Sequence, residues 1–375
     1  MKTISYIFTY DYSATTWEES GTLDRELLLF NEIAREENYK FKLITYGGKR
    51  DLEILKNQKL FEVIPIYSIC KKHKNKYLRF AYSFLIPFKI SNQVKDSDLI
   101  YQNQLHGSWI SIILKFLIKK PLLIRTGYDA YLFSIKDKKN ILIRWFYKLL
   151  TNLSLKFSDL YTVTSASDYK FLTNTFRTNK IKITRNWAQQ SKNIPIENRY
   201  ETRILCVGRL VYQKNYEYFF DELAKLDTFI EVDIVGSGPL QNSLKEIAAS
   251  KNLKVNFIGK INHEELLSLY ANYKFYVLPS LYEGNPKTLI EAMGAGCIVI
   301  ASDISNNTEI VSHNENGFIF DLSSSSFANL FSDISKLSNE DLKKIQTRGI
   351  FNIGDEYSLE KVKKEVLEDF KALFV

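Results

Sequence analysis

Cysteine is scarce in this chain of 375 residues, with only Cys70, Cys206 and Cys297. They stand far apart, which excludes a cysteine-based zinc motif and a paired redox site and fits a reducing compartment. Long apolar runs are also missing. The stretches 80–90 and 108–118 are short and carry Pro87, Lys89 or Lys115, so no transmembrane helix is predicted. The apolar start, Met1 to Tyr10, meets Asp11 at once and has no small-residue cleavage site; it reads as a first strand, not a signal peptide. There is no repeat of fixed period, no low-complexity segment beyond Ser323–Ser326, and no nucleic-acid recognition motif. Asp96-Ser97-Asp98 precedes a strand, the wrong end for an acidic triplet that holds a divalent ion, so it reads as a connecting loop and no metal is predicted. Gly236 and Gly238 lack the third glycine of a dinucleotide fingerprint.

What is present suits two packed α/β domains. Hydrophobic residues make up 45% and aromatics 14%, enough for substantial cores. Charge is unevenly spread: residues 1–200 hold 33 Lys and Arg against 18 Asp and Glu, and residues 201–375 hold 18 against 25. Such asymmetry points to domains with different partners, the basic half suiting an anionic membrane surface or a phosphate-bearing ligand. Within it, residues 71–90 set basic residues beside aromatic ones. That segment reads either as a solvated helix running into the core or as an interfacial membrane patch.

Along the chain, ISYIFTY, the helical pattern DRELLLFNEIAREE and FKLITYG make a βαβ start. The polar loop between its first two elements holds Gly21, either a plain loop glycine or a place where backbone approaches a phosphate. His106 follows the strand-like DLIYQNQ and is open to a structural or a catalytic role. A polar, aperiodic stretch near 190–201 reads as the interdomain linker. RILCVGRL then ends in Gly208-Arg209, and LVYQKN brings Lys214 to the start of a helix; a guanidinium, an ammonium and a helix N-terminus together make an anion site.

The second half is organised around 277–302, VLPSLYEGNPKTLIEAMGAGCIVIAS, read as strand, loop, helix, turn and strand. Asn285 is expected to cap the helix, with Pro286 in its first turn. Glu283 lies on the loop after the first strand and Glu291 in the helix's second turn, where both can accept hydrogen bonds from a polyhydroxylated ligand. NGFIF reads as a hairpin-like segment, and 358–373 as a last amphipathic helix.

GRLVYQKN, VGSGPL, FIGK, PSLYEGNPKTLIEAMGAGCIVIAS and NGFIF occur in the order seen in retaining glycosyltransferases of family 4, the group 1 glycosyltransferases, and the chain resembles them most over 200–320. The resemblance implies a GT-B fold, two Rossmann-like domains facing across a cleft, at 1–192 and 200–355, with 356–375 crossing back to the first. It implies a metal-independent transferase without cofactor, moving a sugar from a UDP- or GDP-linked donor to a glycan or lipid-linked acceptor in surface polysaccharide synthesis. Arg209 and Lys214 would hold the donor diphosphate, Glu291 the ribose and Glu283 the sugar hydroxyls. Gly208, Gly284, Asn285, Pro286, Lys287 and Thr288 would lie against the donor, Gly259 and Lys260 near the base, and Gly21 near the phosphates. Of these, Arg209, Lys214 and Glu283 would act on the reaction itself. Many relatives carry a histidine in a T-x-H-G loop where this chain has RTGYD, leaving His106, Arg125 or Asp129 for the acceptor. The expected location is cytoplasmic, against the inner face of the membrane through 71–90. A nucleotide-sugar epimerase or hydrolase, or a non-catalytic sugar-nucleotide-binding subunit, are the alternatives.

Overall fold

The computed structural model describes residues 1–189 and 194–374. The chain divides into two compact units, Met1–Thr184 with Lys363–Val375, and Arg185–Val362. The division falls between Thr184 and Arg185, ahead of the boundary expected at 192. Part of the expected linker, 190–193, lies outside the described residues.

The first unit holds a seven-stranded sheet: β1 (Thr3–Ile7), β2 (Lys40–Thr45), β3 (Phe61–Pro65), β4 (Leu99–Asn103), β5 (Leu122–Thr126), β6 (Leu160–Val163) and β7 (Ile181–Ile183), in the order β3-β2-β1-β4-β5-β6-β7. Every pair is parallel. Parallel sheets are covered on both faces, which is why segments such as TISYI are buried at every position. Aromatic rings fill the layer beside β1, with Phe8 stacked on Trp17 at 4.0 Å and Tyr6 on Tyr101 at 5.1 Å.

Several elements depart from the expectation. The loop after β1 contains a helix, Ala14–Glu19, capped by the Ser13 hydroxyl, which accepts from the Thr16 N–H. Gly21, at φ +69°, turns the chain into the next helix, Leu23–Glu36. Residues 71–90 break into two helices, Lys76–Ser83 and Ile86–Val94. The acidic triplet is, as expected, the loop leading into β4, and it ties down the interior strands beside it: Lys42 Nζ donates to Asp96 at 2.6 Å and the Thr3 N–H to Asp98 at 2.9 Å.

The second unit holds six parallel strands: β8 (Tyr200–Val207), β9 (Glu231–Val235), β10 (Lys254–Gly259), β11 (Tyr273–Leu278), β12 (Ile298–Ser302) and β13 (Phe318–Phe320), ordered β10-β9-β8-β11-β12-β13. Successive side chains point to opposite faces, so Ile204, Cys206, Ile298 and Ile300 enter one core and Leu205, Val207, Val299 and Ala301 the other. Burial pushes the Cys206 thiol far up and that of Cys297 up to about 12, so both are inert packing groups. NGFIF is not a hairpin: Phe318–Phe320 adds to β12 in parallel.

The helix Leu359–Lys371 begins in the second unit and from Lys363 onward belongs to the first. There Asp369 accepts from Lys182 Nζ at 2.6 Å and from the Thr184 hydroxyl at 2.8 Å, and Phe370, fully buried, meets Phe41 and Tyr101.

Candidate active site

In the second unit the connections from β8 and β11 run to opposite sides, β8 toward β9 and β11 toward β12. Between their carboxyl ends lies the crevice where open α/β sheets bind ligands. β8 ends at Val207, and Gly208-Arg209 lead into a 3-10 turn, Tyr212–Lys214. Asn215 at φ +54° joins it to the helix Tyr216–Leu223. This path sends the Lys214 side chain back past Gly208, whose missing side chain makes room: a Cβ there would stand 2.8 Å from Lys214 Cε. Lys214 Nζ then reaches Glu283 Oε1 at 2.6 Å, with both residues more than nine-tenths buried. Arg209 is exposed, and its guanidinium has no protein partner among the described residues.

The loop after β11 is sewn down by side chains. Gln213 Nε2 donates to the Tyr282 carbonyl at 2.8 Å, Asn186 Nδ2 to the Asn285 carbonyl at 3.1 Å, Ser302 Oγ to the Ser280 carbonyl at 2.6 Å, and Asn306 Nδ2 to the Gly284 carbonyl. Four carbonyl oxygens are thereby turned into the protein, which fixes Glu283 and leads the chain into the next helix in one geometry.

That helix is Lys287–Gly294, and Asn285 does not cap it. A residue before proline is pushed out of the helical region, and Pro286 itself is extended at ψ 91°. The helix therefore starts one residue later than expected and leaves the Asn285 side chain behind. Its Oδ1 is buried without a partner among the described residues, and Pro286, the residue before the helix, makes no side-chain cap. Uncapped N–H groups at a helix start favour an anion. Lys287 and Thr288 are half-buried in that turn, and the Thr288 hydroxyl accepts from Tyr276 at 2.8 Å.

Glu291 lies in the second turn, as expected, but only 1% exposed. Its Oε1 is 3.2 Å from His263 Nε2, and the Tyr270 hydroxyl is 3.5 Å from Oε2. His263, first residue of the helix His263–Tyr270, and Gln213 carry no local signal of this role in the sequence, and Asn306 reads there only as the start of a short helix, because each meets its partner only through the fold. Gly259, at φ +85°, ends β10, its carbonyl accepting from the Gly236 N–H at 2.7 Å, and Lys260 follows exposed to solvent.

Gly21, His106, Arg125 and Asp129 belong to the first unit. β4 and β5 are neighbours, so His106, Arg125 and Asp129 gather at the carboxyl ends of adjacent strands. His106 sits among Tyr10, Trp109 and Tyr147, and burial pushes its pKa down. Arg125 donates to the Thr184 carbonyl at 2.9 Å. Asp129 is 1% exposed and caps the helix Ala130–Lys136 through the Leu132 N–H; burial pushes its carboxyl up to about 6, against two backbone hydrogen bonds that lower it.

Residues 189–349 match the family model of glycosyl transferases group 1. An uncharacterised glycosyltransferase of Methanocaldococcus jannaschii is 36% identical over 31% of each chain. An uncharacterised glycosyltransferase of Haemophilus influenzae is 28% identical over 80% of this chain and 82% of its own. A Campylobacter jejuni alpha-1,4-N-acetyl-D-galactosaminyltransferase, named for a glycan-diphospho-undecaprenol acceptor, is 25% identical over 67% and 77%. Among solved structures, sucrose-phosphate synthase from Thermosynechococcus elongatus superposes with a TM-score of 0.80 at 17% identity, over 100% of this chain and 99% of that one. Anabaena HepE in complex with UDP gives 0.76 at 18% identity over the whole of both. These likenesses establish the GT-B fold. With two Rossmann-like sheets and a group 1 glycosyltransferase domain over residues 189–349, the chain is a glycosyltransferase.

Proposed function

We propose that the protein transfers a sugar, with retention of anomeric configuration and without a metal, from a nucleotide-diphosphate sugar to a lipid-linked glycan acceptor in surface polysaccharide synthesis. The carrying observation is the buried Lys214–Glu283 pair, with Arg209 exposed and without a partner among the described residues and a helix starting at Lys287 without a side-chain cap from Pro286. Breaking the bond to the anomeric carbon builds negative charge on the leaving diphosphate. Arg209, Lys214 and the N–H groups opening Lys287–Gly294 stabilise that charge. Glu283, held by Lys214, positions the sugar through its hydroxyls, and Glu291, backed by His263, holds the ribose. Glu283 then orients rather than attacks, and the leaving phosphate takes the acceptor proton on the same face.

UDP is the favoured donor nucleotide, in line with the UDP-bound HepE structure, with GDP second. The lipid-linked acceptor follows the name of the C. jejuni relative and is assigned to the first unit, near His106, Arg125 and Asp129. No described helix is long and apolar enough to cross a membrane, so contact is assigned to the surface around 71–90. There Tyr77, Leu78, Phe84 and Phe88 are exposed among lysines. Phe80 packs on Phe146 of the helix Ile141–Phe157, whose Ile141, Leu142 and Trp145 are also exposed. Apolar side chains rimmed by cations suit the cytoplasmic face of an anionic bilayer.

The test is a titration with UDP, GDP and their sugars, followed by transfer to a lipid-diphosphate glycan. Arg209→Ala should lower turnover about a hundredfold, the scale of one lost oxyanion donor, without changing the stability of the free protein. Unchanged UDP affinity and turnover in that variant would overturn the phosphate assignment.

A further inference from the structure

The first unit contains a cavity of about 290 Å³ between Tyr67, the loop that follows it, and the helices Lys76–Ser83 and Ile86–Val94. Three cations line it: Lys71, Arg79 and Lys89. Arg79 is fixed, with Nη2 2.8 Å from Asp11 Oδ2 and Nη1 donating to the His73 carbonyl at 3.0 Å. The ammonium groups of Lys71 and Lys89 have no ion-pair or hydrogen-bond partner among the described residues. With one carboxylate against three cations, the cavity holds a local excess of two positive charges. Its walls are preset: His73 stacks on Tyr82 at 4.1 Å, and Lys72 lies over the Tyr67 ring.

Apolar side chains adjoin these cations. Leu85 lines the cavity and is 49% exposed, and Phe88, next in sequence to the lining Lys89 and outside the lining itself, is 58% exposed. A cationic pocket that opens onto exposed apolar side chains suits one kind of ligand, an anion carrying a hydrocarbon chain. A free nucleotide or a sugar would leave Leu85 and Phe88 unused, and a neutral lipid would leave two lysines uncompensated. Two neighbouring phosphates match two unpaired ammonium groups and a preset guanidinium.

We propose that this cavity binds the diphosphate of the lipid-linked acceptor, with the first isoprenoid units lying over Leu85 and Phe88. The proposal deepens the acceptor reading above and rests on it.

Farnesyl diphosphate, inorganic pyrophosphate and farnesol are titrated into the full-length protein with UDP saturating, so that the nucleotide site is filled. Farnesyl diphosphate should bind at least about tenfold more tightly than pyrophosphate, and farnesol should not bind. Lys71→Glu with Lys89→Glu should weaken farnesyl diphosphate about a hundredfold and leave UDP affinity unchanged. Cys70 also lines the cavity and is the one half-exposed thiol, since Cys206 and Cys297 are buried. Its alkylation, followed by intact mass, should slow when farnesyl diphosphate is present. Equal binding of pyrophosphate and farnesyl diphosphate, unchanged binding in the double variant, or unprotected Cys70 would each overturn the proposal. Failure of the wild-type protein to bind UDP would instead strike the donor assignment, and the Cys70 readout without UDP would still decide the cavity.

Discussion

Lys214→Ala separates what the Lys214–Glu283 pair does for folding from what it does for the donor. The two groups are 2.6 Å apart and their side chains are 11% and 9% exposed. Removing one partner leaves a carboxylate uncompensated in a largely dry site. Gln213 Nε2, 3.4 Å from the other carboxylate oxygen, is too far to replace an ammonium. Loss of one partner of a buried pair costs about 3 kcal/mol. For a unit the size of the second one, this is about 6–12 °C in melting temperature. Replacing both groups removes the stranded charge, so Lys214→Met with Glu283→Gln should recover most of that loss. A double-mutant cycle of Lys214→Met, Glu283→Gln and the two combined, in thermal denaturation, should show a coupling of about 2 kcal/mol. UDP affinity should behave differently. It should fall about tenfold to a hundredfold in the single variant and stay low in the stable double variant, because the ammonium is still missing. A single variant melting within about 2 °C of wild type would refute the energetic argument. A double variant that regained both stability and UDP affinity would show that Lys214 only shapes the site.

Three other outcomes follow from the geometry. Gly208→Ala places a Cβ 2.8 Å from Lys214 Cε, and should weaken UDP about tenfold by displacing the ammonium, read by calorimetry, with a stability loss of about 1–3 kcal/mol. The Asp129 carboxyl is raised to about 6 in the folded protein from an ordinary 3.8, so the native state holds its proton longer than the unfolded chain. Its contribution is full below pH 3.8 and is lost as pH rises to about 6; Asp129→Asn should flatten the fall in stability across that window, worth about 2–3 kcal/mol. Glu291→Gln should raise the KM for the nucleotide-sugar more than it lowers kcat, because the group holds the ribose away from the reacting bond; a fall in kcat at unchanged KM would refute that role.

The sequence made the second unit legible where one segment carries the information. Apolar runs such as FYVL and CIVIA announced buried strands, and Glu283 and Glu291 could be placed on loop and helix by local pattern alone. It failed where a partner is distant. Lys214 and Glu283, 69 residues apart, each suggested its own ligand contact, and only the fold shows them holding one another. His263 looks like any residue after a helix cap until the strand order brings it to Glu291. The short helix after Ser13 was lost among polar residues, although the serine is a fair cap. The β13 pairing is not legible because a three-residue parallel edge strand has no local signature. Asn285 departs for a local reason: the cap preference of asparagine is overridden by the following proline, which keeps it out of the helical region.

The helix Leu359–Lys371 has a consequence for the order of events during synthesis. The second unit has all of its residues once position 362 has left the ribosome. The first unit, although begun earlier, lacks Phe370 and the Asp369 partner of Lys182 and Thr184 until later residues emerge. Until then Phe41 and Tyr101 lack the Phe370 ring that packs on them, so the N-terminal unit, although begun first, receives its final contacts last.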